Sequence, residues 1–166
     1  MQLEGWKLTV VPSSTVYHVG GGTLPATSPF KLFLNYRNNL LMLGNNLAKT
    51  YALGFYHRGM DACQAARKGS RKATRRIRMR MVLDGLSAAV YLVTFRFSCF
   101  KAVFKAHKEY RRMVKYSSLE QISEHIGSHG DNAEVRGIYR KWIVLRSMIQ
   151  GQKVHGSIRA EDFYKF

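Results

Sequence analysis

The chain has 166 residues, 46% of them hydrophobic and 12% aromatic, which excludes wholesale disorder. Its 27 Lys and Arg against 10 Asp and Glu leave a formal net charge of +17, self-repulsive without an anionic partner such as nucleic acid, lipid headgroups or a phosphorylated substrate. Two cysteines, Cys63 and Cys99, are too few for a disulfide framework or a zinc site and suit a reducing cytosol, and the opening MQLEGWKLTVVP lacks the pattern of a secretory signal.

Residues 6–11 read as a strand stopped by Pro12, and residues 15–19 as a second extended run closed by Gly20, Gly21 and Gly22. Two strands are marginal on their own, so the pattern predicts the last part of a sheet whose other strands lie elsewhere, with the chain starting in mid-domain. Ser28 and Pro29 supply the N-cap and first position of a helix. It runs through PFKLFLNYRNNLLMLGNNL with Phe33, Tyr36, Leu40 and Leu43 on one stripe, while Gly44 weakens its far end. Asn35, Arg37, Asn38 and Asn39 form a polar minority that needs partners wherever it is buried.

Residues 50–69 read as a less regular connection, after which eight of the fourteen residues 67–80 are Lys or Arg. Residues 81–95 are nearly uncharged, but with Asp84 inside they fall short of the roughly 20 residues a spanning helix needs. Over residues 96–114 a long helix is predicted, with Val93, Phe97, Phe100 and Phe104 on one face and Lys101, Lys105, Lys108 and Arg112 on the adjacent one. Aromatics beside cations at helical spacing are what a lipid headgroup boundary favours. SSLEQISEHIGSHGDNAE predicts a short helix and then a linker, and residues 135–149 a final helix ending near Gly151.

GWKLTVVPSSTVYHVGGGTLP followed by FLNYRNNLLMLGNNL resembles the region that closes the catalytic domain of bacterial family 2 glycosyltransferases of the rhamnosyltransferase-like type. The likeness covers about the first fifty residues by order and spacing. It extends less sharply to LDGLSAAVYL and KAHKEYRR, which are similar to the membrane-associated tail of those proteins. The resemblance implies an α+β fragment, mostly α, in which two terminal strands of a GT-A-type sheet are followed by amphipathic helices. It divides the chain into the end of the catalytic domain (1–49), basic membrane-surface helices (50–116) and a C-terminal linker and helix (117–166).

The same resemblance implies an inverting sugar transfer from a nucleotide sugar to a lipid-linked acceptor or cell-surface polysaccharide, with a divalent metal, Mg or Mn, on the donor diphosphate. His18 is similar to the family's metal ligand or diphosphate contact; Gly20, Gly21 and Gly22 suit a backbone nest for an anion or, taken alone, a flexible turn, and Thr23 a contact to acceptor or phosphate. Arg37 with Asn38 resembles a pair that contacts the diphosphate, though a helix-surface cation awaiting a carboxylate fits equally well. The acidic base and the aspartate metal motif are expected upstream of Met1, so no catalytic residue falls in this chain and it is expected to be inactive alone. Arg75, Arg76, Arg78 and Arg80, with Phe97, Phe100, Lys101, Phe104 and Lys105, are the residues expected at an anionic membrane surface. This places the protein peripherally on the cytoplasmic face of the bacterial inner membrane. An independent membrane-binding module is the alternative, and nucleic acid is the less favoured partner because no zinc, helix-turn-helix or RNA-binding signature accompanies the charges. His125 and His129 read as surface residues, since the metalloprotease pattern is absent around them.

Overall fold

The computed structural model describes residues 1–9, 11, 13–17, 25 and 28–135, with the backbone of Ile138–Tyr139 and Phe163–Tyr164. Four helices carry the architecture: α1 (Pro29–Tyr56), α2 (Ala62–Val93), α3 (Phe97–Met113) and α4 (Leu119–His129), after a single 3-10 turn at Gln2–Glu4. Beyond them, Ile138–Tyr139 (β1) and Phe163–Tyr164 (β2) pair antiparallel over two residues.

Helix α1 starts where the sequence marks it, with Pro29 at the first position and the Ser28 side chain accepting the Lys31 N–H. It then runs for 28 residues, about 42 Å at 1.5 Å per residue, through the segment expected to be irregular. Its end is a Schellman turn: Gly59, at φ +86°, donates to Tyr56 O while Met60 donates to Phe55 O. Asp61 then caps α2 by accepting the Gln64 N–H at 2.9 Å. Residues 50–56 and 62–69 are therefore helical, and only residues 57–61 form the connection.

Why a run of eight cations folds as helix is explained by what lies between them. Ala65, Ala66, Gly69, Ala73 and Ile77 recur at helical spacing and are buried, leaving Arg67, Lys68, Arg71, Arg75, Arg76 and Arg78 exposed. This stripe of small residues lets α2 pack closely against α1. A β-carbon on Gly69 would stand 2.6 Å from Ala52 N and 2.7 Å from Ala48 O, so the two backbones meet there. Gly44, read from sequence as a weak point in α1, has the same use: it is buried, and a β-carbon on it would stand 2.7 Å from Val114 Cγ2 and 3.1 Å from the Tyr110 hydroxyl.

The core follows α1 along its length. Phe33 meets Ala102 and Ala106 of α3, Leu40 meets Ile77 and Tyr110, and Tyr51, Ala52 and Leu53 meet Ala66 and Ala73 together with Ile122 and Ile126 of α4. Pairings that rise on α1 as they fall on α2 make those helices antiparallel, and α3 returns beside α1 in the same direction. Helix α4 closes one end. It is held by a capping box at Ser118 and Gln121, by Tyr56 donating to Asp131 at 3.0 Å, and by His57 Nε2 at 2.7 Å from Gly130 O.

The break between α2 and α3 is a second Schellman turn, with Phe95 at φ +56° donating to Leu92 O and Arg96 donating to Tyr91 O. Val93 therefore ends one helix and does not continue the stripe of Phe97, Phe100 and Phe104 on the next. Three sequence expectations are corrected. The body is all-α: residues 6–9, 11 and 15–17 are not strands, and Val16 and Tyr17 are exposed, because no partner strand receives them among the described residues. The connection over residues 50–69 is mostly helix. The backbone of Ile138–Tyr139 is extended, where a final helix was expected; the rest of that expected helix lies almost wholly outside the described residues.

Candidate functional site

Of the residues expected to handle the donor, His18, Gly20, Gly21, Gly22 and Thr23 lie outside the described residues. Arg37 and Asn38 are neighbours on α1, joined by a 3.0 Å hydrogen bond from Arg37 Nε to Asn38 Oδ1. The Arg37 guanidinium lies 5.0 Å from the centre of the Phe33 ring, and the Lys105 ammonium of α3 lies 5.1 Å from the same ring. Phe33 thus brings two cations to one end of α1, which concentrates positive potential there.

Helix α2 carries an unusual surface. Its C-terminal half exposes Met79, Val82, Leu83, Leu86, Val90 and Val93, and the turn into α3 adds Phe95 and Phe97. Met79, Val82, Leu86, Val90 and Val93 follow the 3.6-residue period, so they form one continuous outward stripe. At its N-terminal end the stripe runs into the exposed cations Arg71, Arg75, Arg76 and Arg78. On α3, Lys101, Phe104 and Lys105 are exposed, while Phe100 is half-buried with its ring 4.7 Å from that of Phe104. No helix among the described residues is long and apolar enough to cross a membrane.

Two cations of the basic run, Arg80 and Lys72, are only partly exposed. Arg80 Nε lies 2.8 Å from Asp84 Oδ1, and His107 Nε2 of α3 lies 3.2 Å from Asp84 Oδ2. The N–H of Arg80 is not aimed along its short contact, so that contact is an ion pair more than a hydrogen bond. Asp84 is only 2% exposed: the single carboxylate in the apolar run faces the bundle, and the outward stripe carries no acid. Lys72 folds over Tyr51, its ammonium 4.4 Å from the ring centre, and burial with the repulsion of Arg58 and Arg76 lowers its pKa from the ordinary lysine value.

Between α1, α2 and α3 a cleft of about 460 Å³ is lined by Lys49, Arg78 and Arg111 together with Tyr110 and Tyr116. The two phenols share a 2.6 Å hydrogen bond, and burial, reinforced by that bond, pushes Tyr110 above the ordinary tyrosine range. Three cations along a mainly apolar cleft that also holds two phenols suit a phosphate-sized anion.

A further grouping went unread in the sequence. Glu4, from the 3-10 turn, comes together with His125 and His129 of α4. Burial, with help from Lys49, holds His125 below the usual histidine range against the opposing pull of Glu4. The i, i+4 spacing of the histidines was visible; their closure by a residue 121 positions away was not. No protein family, curated protein or solved structure compared with this chain matches it.

Proposed function

We propose that this chain is the C-terminal, membrane-surface part of an inverting glycosyltransferase that moves a sugar from a nucleotide-sugar donor to a lipid-linked acceptor or cell-surface polysaccharide at the cytoplasmic face of the inner membrane. The enzymatic half of the reading is supported by the order and spacing of residues 5–47, which are similar to the segment closing a GT-A catalytic domain. In that setting His18, the glycine turn and Arg37 belong to the diphosphate side of the site. A bound Mg or Mn ion would supply charge neutralisation of the leaving diphosphate there.

The membrane half rests on one observation, the exposed apolar stripe on α2 running into a field of exposed arginines. Such a surface is costly in water, and lying in the headgroup region removes both costs at once: apolar side chains enter the acyl boundary while each cation near anionic lipid gains on the order of 1 kcal/mol. The cleft beside Arg78 suits a lipid phosphate. An acceptor held on a membrane would then be delivered to the sugar-transfer site in two dimensions.

The test is flotation. The chain is expected to float with vesicles containing phosphatidylglycerol, to float far less with phosphatidylcholine alone, and to be released as salt rises. Replacing Leu86, Val90 and Phe97 by Ser, all exposed and so neutral for the fold, should weaken vesicle binding by about 100-fold, since each loses roughly 1 kcal/mol of partial apolar burial. Binding that ignores lipid charge, or tight retention of RNA or duplex DNA at physiological salt with no vesicle binding, overturns the membrane reading.

A further inference from the structure

We infer that Glu4, His125 and His129 form a site for a zinc-class divalent metal that clips the 3-10 turn at Gln2–Glu4 to α4. Glu4 Oε1 stands 3.7 Å from His125 Nε2, and Glu4 Oε2 stands 3.7 Å from His129 Nε2. All three donor atoms fall within 4.8 Å of one another. Metal–ligand bonds of about 2.0–2.1 Å in a tetrahedron place the ligand atoms about 3.3 Å apart, so the group closes onto an ion with side-chain movements of an ångström or less.

The details favour an ion at the centre over a set of direct hydrogen bonds. Both carboxylate contacts are too long for hydrogen bonds. The Nε2 of His125 is buried, meets no hydrogen-bond partner at good geometry among the described residues and lies 3.7 Å from Glu4 Oε1, with the Leu3 backbone also beside the ring. One helical turn separates the two histidines, and their rings lie nearly parallel at 4.9 Å, so both Nε2 atoms present to one side. His129 Nδ1 lies 3.4 Å from His125 O, a weak contact that orients the ring with Nε2 towards Glu4.

Two imidazoles and one carboxylate select zinc and its neighbours over magnesium or calcium, which want oxygen throughout. With three protein ligands the fourth position falls to water. Glu4 and His129 are both about half exposed, so an ion reaches the site from solvent without opening the bundle. The site shares no residue with the metal that the glycosyltransferase resemblance associates with His18, and its test is independent of that reading.

The experiment is zinc titration of the 166-residue chain in nonionic detergent, by calorimetry and by competition with a chromophoric chelator. One equivalent is expected to bind, with millimolar magnesium failing to compete. Glu4→Gln and His129→Ala, both at exposed positions, should each weaken binding by at least about 100-fold, because even residues outside the ligand set change metal affinity by about 10–100-fold. His125→Ala should do the same, with far-UV circular dichroism reporting whether its half-buried position matters to folding. Cys63→Ser, which removes an exposed thiol outside the site, should leave the affinity unchanged. Absence of saturable one-to-one uptake, retention of full affinity in Glu4→Gln or His129→Ala, or its loss in Cys63→Ser overturns the inference.

Discussion

Gly69→Val is expected to destabilise the chain by about 3 kcal/mol, read as a lowered midpoint of thermal unfolding by circular dichroism in nonionic detergent. The added β-carbon alone would meet the backbone of Ala48 and Ala52 below 3 Å, and backbone cannot rotate away as a side chain can. Helix α1 would have to lift from α2 along the seam of Ala65, Ala66, Gly69 and Ala73. Gly85→Ala, in the same helix with open space around it, should instead raise stability by about 1 kcal/mol through helix propensity. Opposite signs from two glycines in one helix separate packing from propensity; an unchanged or raised midpoint for Gly69→Val would mean the helices do not cross there.

Asp84→Ala is the second large effect, a loss of about 2–3 kcal/mol. Removing this buried carboxylate strands the facing His107 and leaves Arg80 without its short ion pair. Arg80 is 41% exposed and can turn to water, which keeps the cost below that of a fully buried pair. A double-mutant cycle with His107→Ala measures the α2–α3 share directly: the two changes should be clearly non-additive. Strict additivity would place Asp84 outside the interface. The consequence reaches the surface, because the acid that interrupts residues 81–95 in sequence faces inward in three dimensions and leaves the outward stripe uncharged.

The start of α1 was legible because Ser28-Pro29 states it, and so was its core stripe: Phe33 and Leu40 are buried where the 3.6-residue period places them. The short helix α4 was legible within SSLEQISEHIGSHGDNAE, while its capping box at Ser118 and Gln121 emerged only in the structure. The helical character of residues 62–80 was not, since counting cations hides a buried stripe made of Ala and Gly, whose small volume registers as neither apolar nor polar. Gly59 and Asp61 were the available signals, a left-handed stop followed by an N-cap. The expected strands found no pairing partner among the described residues, and strand formation depends on that partner more than on the residues themselves. For the site, the basic and apolar surface was visible as adjacent runs, but the burial of Asp84 and the partial cover of Arg80 and Lys72 depend on contacts with α1 and α3. The approach of Glu4 to His125 and His129 is a long-range contact with no local mark.

The measurement that bears most directly on the membrane reading is a depth determination by spin label. With Cys63 and Cys99 replaced by Ser, a single nitroxide at Leu86 on vesicles containing phosphatidylglycerol should show high collision with oxygen and low collision with a water-soluble nickel complex. That pattern corresponds to a depth of about 5–10 Å below the phosphates, while a label at Arg67 should stay in water. A label at Leu86 that remains as open to the aqueous reagent with vesicles as without them would contradict the account.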